Sequence, residues 1–345
     1  MLQVMIRILY FAVAAGLLTA CGGDNRDQWI RLSGPTMGTQ YTVKLSAPTV
    51  DLKSGMLQTG IEAILENVND QMSTYRSDSE LSRFNQSPTT DWVSVSAELL
   101  EVFETAYQVS ELTGGAFDIT VGPLVNLWGF GPEKQNNRVP SKLELSEALR
   151  KVGYAKISTR RFPPAIKKDD QNIYVDLSAI AKGYAVDKVA EYLESYGVND
   201  YLIEIGGDLR TKGQNANGTP WVIAVEKPAT AERTIQRKIY VQDQAMATSG
   251  DYRNFFEGNG RRFSHAIDPA NGTPVAHNLA SVTVLNPSAM HADALATALL
   301  VLGPEDGYTL AMQQQLYAYF IIKTMDGYAE KSTPRFDQSV GRASN

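Results

Sequence analysis

The chain has 345 residues, of which 43% are hydrophobic and 20% charged, and a formal net charge of −6. This composition is typical of a globular protein with an ample core. The acidic balance argues against nucleic acid, or a polybasic contact with a membrane, as the main interaction. No linker, low-complexity run or internal repeat interrupts the chain after residue 30, so we predict one intertwined domain.

The N-terminal segment has the pattern of a bacterial lipoprotein signal. Arg7 precedes an apolar run over residues 8–18, which is too short to span a bilayer. Small residues then lead to Cys21, the only cysteine in the chain. We predict that residues 1–20 are a signal peptide, that Cys21 is lipidated, and that residues 21–30 form a tether; a non-lipidated secretory signal is the alternative. One cysteine allows no disulfide within the chain, so stability must come from the core.

Strand and helix patterns alternate in the first part of the domain. A turn at Ser33 precedes alternating apolar residues, which predict a strand that ends at Ser46. Helical periodicity predicts helices over Asp51–Met72 and Ala97–Leu112. Between these helices, Ser73–Asn85 is too dense in short polar side chains for a helix interior, which favours a loop.

The stretch Val175–Asp187, VDLSAIAKGYAVD, predicts a binding site most directly. A short strand pattern over Asn172–Asp176 precedes a helical pattern that runs to about Tyr196. Ser178 is placed as its N-cap, and Gly197 as its C-cap glycine. A strand that leads directly into a helix exposes backbone N–H groups that can bind phosphate. An ordinary strand–helix unit is the alternative.

Further side chains suit a charged ligand that contains a flat ring, although each also has a purely structural explanation. Lys182 would add a positive charge at the helix start, and Asp176 would add a carboxylate. Met37 could lie against a ring through its soft thioether, and Tyr75 could stack on one. His265 could accept a proton. The alternatives are a surface lysine, a capping aspartate, a core methionine, a loop tyrosine that covers the core, and a structural histidine with its hydrogen bonds satisfied.

Two more segments carry groups that suit a ligand or a metal ion. Gly114-Gly115 would let the backbone of Ala116–Asp118 approach a ligand with its N–H and C=O groups. Asp293 and Thr297 share one face of a predicted helix because they stand at i and i+4. Carboxylate, hydroxyl and carbonyl oxygens are hard ligands suited to Mg²⁺. A capping role for Asp293 and a bond from Thr297 within its own helix are the alternative.

Eight segments form an ordered set that covers nearly the whole chain after residue 30. They are PTMGTQYTV (35–43), STYRSDSELSRFN (73–85), TGGAFDITVGPLVNLWGFG (113–131), VDLSAIAKGYAVD (175–187), IEIGGDLR (203–210), ATSGDYRNFF (247–256), HAIDPANGTP (265–274) and HADALATALLVLG (291–303). Together they resemble the ApbE family, the FAD:protein FMN transferases. The seventh segment departs from the commoner HIIDPxTG pattern without removing an expected ligand.

The resemblance implies a fold, a reaction and a location. The fold would be a single α+β domain over residues 31–345, with mixed sheets packed with helices in the ApbE-like (T-fold-like) architecture. The enzyme would bind FAD and Mg²⁺ and transfer the FMN moiety to a threonine or serine hydroxyl of an acceptor protein, releasing AMP. The acceptor would be a membrane redox-complex subunit. The enzyme would be lipid-anchored on the periplasmic side of a bacterial membrane, with the inner membrane as the expectation.

The resemblance also implies roles for particular residues, carried over position by position. The implied FAD contacts are Met37, Tyr75, Ala116, Phe117, Asp118, Asp176, Lys182 and Ile267. The implied metal contacts are Ala179, Asp293, Ala296 and Thr297. His265 is the candidate catalytic base, and Asp293 is a second candidate if the metal does not fully engage it.

Two other functions stay open from the sequence. An FAD pyrophosphatase on the same fold would use water as the acceptor and release FMN and AMP. A non-catalytic lipoprotein would hold FAD without turnover. Tyr75 favours the transferase, because an aromatic cover that excludes water favours a protein hydroxyl. The set of Lys182, Asp293 and Thr297 exceeds what passive binding requires.

Overall fold

A computed structural model describes residues 29–46, 54–132, 138–228, 234–252, 254–258 and 260–340. The signal peptide predicted over residues 1–20 and the lipidation predicted at Cys21 lie outside the described residues, as does most of the tether. No helix in these described ranges is long and apolar enough to cross a membrane.

The helices follow the periodic apolar patterns of the sequence. Within the described ranges they are α1 (Ser54–Met72), α2 (Glu80–Gln86), α3 (Ala97–Leu112), α4 (Gly122–Leu127), α5 (Lys142–Leu149), α6 (Ala181–Ser195), α7 (Ala289–Gln313) and α8 (Pro334–Ser339). Helix α3 has the predicted bounds, and α7 is broken at Gly303, whose φ is +83°, before Pro304. Proline cannot continue the hydrogen-bond ladder of the preceding turn, which explains the break.

The strands form one large antiparallel sheet and three small ones. They are β1 (Trp29–Thr36), β2 (Thr39–Ser46), β3 (Val93–Ser94), β4 (Ile157–Arg160), β5 (Ala165–Lys168), β6 (Tyr201–Ile205), β7 (Asp208–Lys212), β8 (Trp221–Glu226), β9 (Ile235–Val241), β10 (Ala245–Gly250), β11 (Phe255–Gly258), β12 (Arg261–Ser264), β13 (Leu279–Asn286), β14 (Tyr317–Thr324) and β15 (Gly327–Ser332). The large sheet has the strand order β1-β2-β6-β7-β10-β13-β14-β15. The small sheets are β3-β5-β4, β8-β9 and β11-β12.

Both faces of the large sheet are covered. On β14, Ala318 and Phe320 belong to the main core, which the buried faces of α1, α3, α6 and α7 complete. The intervening Tyr319 and Ile321 belong to a second core, together with the β8-β9 hairpin and α8. Successive strand residues point to opposite faces, so this alternation separates the two cores. The predicted α+β class, with several sheets and helices in a single domain, is confirmed; the sheets predicted as mixed are antiparallel in every pairing between described strands.

The predicted loop over Ser73–Asn85 and the turn predicted at Ser33 are wrong in part. The chain forms α2 from Glu80 onward, because the Ser79 hydroxyl accepts a hydrogen bond from the Ser82 N–H and caps the helix. Ser33 lies within β1, which pairs along its full length with β2. Short polar side chains mark a helix start as readily as a loop.

The strand predicted over Asn172–Asp176 and the N-cap predicted at Ser178 are also wrong. The Val175 backbone bonds to the side-chain amide of Asn85 instead of to a neighbouring strand. The Ser178 N–H donates to Asp176, and α6 begins only at Ala181, without a side-chain cap. The predicted end of the helix is confirmed, since Gly197 follows it with φ of +75°.

Candidate active site

Two adjoining cavities lie beside the start of α6. The large cavity, of about 1040 Å³, is bounded by the β1–β2 turn, α1 and the loop that carries Tyr75. The small cavity, of about 390 Å³, is bounded by the ends of β10 and β12, by α7 and by residues 116–119. Tyr75, Asp176, Ser178 and Lys182 line both cavities, and therefore mark the seam between them.

Almost all of the sequence-predicted site residues line these two cavities. Met37 lines the large cavity, and Tyr75, Asp176 and Lys182 line both. The small cavity is lined by Ala116, Phe117, Asp118, Ala179, His265, Ile267, Asp293 and Thr297. Ala296 lines neither cavity, because its fully buried side chain packs in the main core.

Met37 stands at the tip of the β1–β2 hairpin, at the rim of the large cavity. Thr36 and Thr39 pair directly, which leaves Met37 and Gly38 as a two-residue turn. Their φ values are +47° and +69°, the left-handed geometry that tight hairpin turns require. Glycine adopts this geometry freely, whereas a methionine in it is strained. The strain at Met37 motivates the hypothesis of a binding role for its side chain.

Tyr75 lies on a loop that several polar contacts fix to neighbouring helices. Its side chain is 71% exposed, so the ring has no large protein surface against it. The guanidinium of Arg76 pairs with Glu66 and Asp70 on α1. Two serine hydroxyls of α2 and its cap donate to the Ser73 carbonyl at the start of the loop. The exposed ring is thereby held over the seam of the two cavities.

A largely buried charge cluster lies beside the small cavity, which Lys182 and Asp293 line. Lys182 Nζ lies 2.6 Å from Asp208 Oδ2 and 3.1 Å from Asp293 Oδ2. Burial and the neighbouring Asp293 raise the pKa of Asp208 to about 7. Burial works against the charge on Lys182, but the two carboxylates raise its pKa above the ordinary value. The cluster has an excess of negative charge when Asp208 is ionised and is neutral when Asp208 is protonated.

The start of α6 is therefore not the open phosphate site that the local pattern predicted. The Gly183 N–H donates to Asp293 Oδ2 over 3.2 Å, so a protein carboxylate already engages the helix start. Gly183 itself packs against the backbone of Ala289 at the start of α7, where a Cβ would lie 2.2 Å from the Ala289 oxygen. This close approach brings Asp293 of α7 within reach of Lys182 and the α6 backbone.

The oxygen groups beside this cluster suit a hard divalent cation. Asp293, Thr297 and Ala179 all line the small cavity, and they offer carboxylate, hydroxyl and carbonyl oxygens. The Thr297 hydroxyl lies 2.9 Å from that of Ser249, which adds another oxygen. Within the described ranges, no group of three or more His, Cys, Asp or Glu side chains could hold a metal ion. Because the donors beside the cluster are oxygens, they fit Mg²⁺, which prefers oxygen ligands and retains water, better than a softer metal.

His265 presents one ring nitrogen that can accept a proton. Its Nδ1 lies 3.0 Å from the Asn254 carbonyl oxygen. A carbonyl only accepts, so Nδ1 carries the proton in the neutral ring and Nε2 is left as the acceptor. Burial lowers the pKa of His265, against the raising effects of the Asn254 carbonyl and Asp251, so the ring is neutral near pH 7. Phe130, at 6.4 Å between ring centres, packs edge-on beside it.

The backbone of residues 116–118 is less available than predicted. The N–H groups of Ala116 and Phe117 both donate to Thr113, through its carbonyl and hydroxyl oxygens. The Asp118 carboxylate accepts from the backbone and hydroxyl of Thr120 and from the Tyr154 N–H. The predicted presentation of N–H groups to a ligand is therefore wrong for Ala116 and Phe117. All three residues still line the small cavity.

Several residues of the site escaped prediction. Asp208 stands directly after Gly206-Gly207, whose φ values of +60° and +104° form the tight turn between β6 and β7. The sequence signal that could have identified Asp208 as a site residue is its place directly after a glycine pair. Ser249, at the end of β10, and Asn254, which acts through its carbonyl, had no local signal. Their roles arise from tertiary contacts with α7 and β12.

Comparison with known proteins identifies the family. The ApbE family model matches residues 37–321. The FAD:protein FMN transferase of Vibrio cholerae is 47% identical over 95% of this chain and 97% of its own length. That of Escherichia coli is 40% identical over 88% of this chain and 87% of its own.

Solved structures agree with the sequence comparison. The flavin transferase ApbE from Vibrio cholerae superposes with a TM-score of 0.85 at 47% identity, over 90% of this chain and 99% of that one. The apo form of the Pseudomonas stutzeri flavinyl transferase ApbE gives a TM-score of 0.85 at 39% identity, over 92% and 98%. The chain belongs to the ApbE family.

Proposed function

We propose that this protein transfers the FMN moiety of FAD to a serine or threonine hydroxyl of an acceptor protein and releases AMP. The observation that carries the proposal is the seam between the cavities. The seam carries an exposed aromatic ring and the lysine of the charge cluster, and the small cavity beside it adds oxygen donors and a neutral histidine. The names of the FAD:protein FMN transferases that this chain resembles support the same reaction.

The two cavities suit different parts of FAD. The large cavity has mostly apolar walls and carries Met37 and Tyr75, which suit a flat isoalloxazine ring. Lys182, which lines both cavities and pairs with Asp208 and Asp293, would meet the pyrophosphate at the seam. FAD would thus lie with its flavin in the large cavity and its phosphates beside the small one.

The reaction exchanges one oxygen–phosphorus bond for another. The acceptor oxygen bonds to the FMN-side phosphorus, and the bond from that phosphorus to the bridging oxygen breaks. The bridging oxygen leaves with AMP, and the hydroxyl proton passes to Nε2 of His265. Asp293 is the weaker candidate base, because Lys182 and the Gly183 N–H already engage its oxygens. Positioning and charge neutralisation dominate such transfers.

A bound Mg²⁺ belongs to the proposal because the cluster alone cannot neutralise a pyrophosphate. Lys182 supplies one positive charge against Asp293 and, when it is ionised, Asp208, so the cluster offers the phosphate oxygens no net positive charge. Asp293, Thr297 and the Ala179 carbonyl would hold the ion, and Ala296 would contribute only through its backbone. Mg²⁺ supplies charge neutralisation at the phosphoryl oxygens and at the departing AMP.

We further propose that the enzyme is lipid-anchored through Cys21 on the periplasmic side of the inner membrane and acts on a membrane redox-complex subunit. The lipobox-like sequence before Cys21 supports the anchor. Labelling with radioactive palmitate tests it. Label on the wild type that disappears in Cys21→Ser is expected, whereas an unlabelled wild type would contradict the anchor.

One assay tests the reaction. The purified protein is incubated with FAD, Mg²⁺ and an acceptor domain that contains a serine or threonine target, and denatured acceptor is examined for covalent flavin fluorescence. Fluorescent acceptor is the expected result. Free FMN with unlabelled acceptor would identify a pyrophosphatase, and unchanged FAD would identify a non-catalytic carrier.

A further inference from the structure

The segment that carries Asp176 to the seam is buried but belongs to no strand. Ile173, Val175 and Leu177 are at most 1% exposed, so their backbone groups need partners within the protein. Asp176, between two of them, lines both cavities, and its N–H donates to the Ile119 carbonyl over 2.8 Å. The position of its carboxylate depends on what holds this segment in place.

A side-chain amide pairs with the segment at Val175. Asn85 Nδ2 donates to the Val175 carbonyl, and the Val175 N–H donates to Asn85 Oδ1, each over 2.8 Å. This two-point pairing satisfies both backbone groups of the residue that directly precedes Asp176. Asn85 is 8% exposed, so water cannot easily replace the pairing. It also explains why a strand-like sequence forms no strand here.

Asn85 lies on α2, which is anchored at both ends. At the C-terminal end, the fully buried Lys168 donates to the carbonyls of Phe84 and Asn85 over 3.1 and 3.2 Å. A cation there is also favoured by the helix dipole. At the N-terminal end, Ser79 and Ser82 donate to the Ser73 carbonyl, at the base of the Tyr75 loop. The same short helix therefore fixes Tyr75 from one end and Asp176 from the other.

We propose that Asn85 is a positioning residue for FAD, which sets the place of the Asp176 carboxylate relative to the Tyr75 ring through its pairing with Val175. This inference rests on the proposed function, because it takes FAD as the ligand of the seam. Asn85 touches neither cavity and acts only through Asp176. Lys168 supports it by binding the carbonyls at the end of its helix.

The test compares FAD binding in the full-length wild type, Asn85→Asp, Asp176→Asn and the double variant, by titration of flavin fluorescence. Asn85→Asp keeps the side-chain shape but places an oxygen against the Val175 carbonyl, so the Kd for FAD should rise about tenfold. Asp176→Asn should also raise the Kd. If Asn85 acts through Asp176, the double variant should bind no more weakly than Asp176→Asn alone.

Several results would overturn the inference. They are an unchanged Kd in Asn85→Asp, an unchanged Kd in Asp176→Asn, or losses that add in the double variant, since addition would indicate a general structural role. Asn85→Ser, which keeps a small polar group, decides the question if Asn85→Asp does not fold. Asn278→Asp is the matched control, because Asn278 also donates to a backbone carbonyl, but outside both cavities. A wild type that binds no FAD would instead contradict the proposed function.

Discussion

The two cavities share a wall but are built in different ways. The large cavity is formed by a hairpin tip, one face of α1 and an exposed loop, all close to the surface. The small cavity lies where α6, α7 and the large sheet converge, with Asp208 and Asp293 each no more than 3% exposed. Surface elements can adjust to a ligand, whereas convergent core elements fix charges at set distances. The large cavity is thus suited to recognition, and the small cavity to the reaction.

The largest effect on the transfer rate is expected from the loss of Asp293, which lines the small cavity. Asp293→Ala removes a partner of Lys182 and a proposed Mg²⁺ ligand, so the rate of flavin transfer should fall about 1000-fold. The rate is measured with FAD and acceptor in excess, across a Mg²⁺ titration. Asp306→Ala, which removes an exposed carboxylate from the same helix, is the control and should leave the rate unchanged. Full activity in Asp293→Ala would remove the residue from the site.

Replacement of His265 should have the next largest effect. His265→Gln keeps a polar group in place but cannot take the acceptor's proton, so the transfer rate should fall about 100-fold. A loss confined to the KM for FAD would contradict a role as base.

The transfer rate should depend on pH through His265, which lines the small cavity. Only the neutral ring accepts a proton, so the wild-type rate should fall as the pH falls through the pKa of His265, which burial places below 6.5. Asp251 raises this pKa and Lys182 lowers it, so both shape the inflection. The profile of kcat is measured from acid to neutral pH. His265→Gln should lack the acid limb; an identical limb in the variant would assign it to another group.

A change in the large cavity should affect binding more than the reaction. Tyr75→Ala removes an exposed ring from the seam, so the KM for FAD should rise about tenfold while kcat changes less than about threefold. Initial rates across FAD concentrations measure both. Phe162→Ala removes another highly exposed ring, outside both cavities, and serves as the control. A fall in kcat alone would show that Tyr75 takes part in the reaction.

The smallest effect is expected at the hairpin tip. Met37→Gly removes the side chain but also relieves the strain of a positive φ, so the denaturation midpoint should stay close to that of the wild type. The Kd for FAD should nevertheless rise about threefold, because the thioether contact is lost. Urea titration and FAD titration test the two statements separately. Unchanged FAD binding would leave Met37 with a structural role alone.

The sequence predicted elements well where one face is apolar over several turns, and poorly where tertiary contacts replace local ones. Helix α3 has its predicted bounds because its periodicity and its Ser96 cap agree. Residues 172–176 look like a strand, but the partner of Val175 is a side chain 90 residues earlier. A local sequence pattern cannot indicate a partner so distant along the chain.

Prediction of the candidate site was limited in the same way, because contacts between distant residues decide which groups are available. The segments that resemble the ApbE family supplied its residues, and nearly all of them line the two cavities. The pattern could not show that Lys182 would be engaged by Asp208 and Asp293, since these three residues come from three separate elements. It likewise could not show that Ala296 faces the core. Which groups remain free is decided by packing.

The most direct test of the central claim measures AMP and covalent flavin in the same reaction. The wild type is given FAD, Mg²⁺ and an acceptor domain; AMP is quantified by chromatography, and attached flavin by mass spectrometry of the acceptor. Transfer predicts equal amounts of AMP and flavin-bearing acceptor at every time point. AMP that accumulates with free FMN, while the acceptor stays unmodified, would contradict the account.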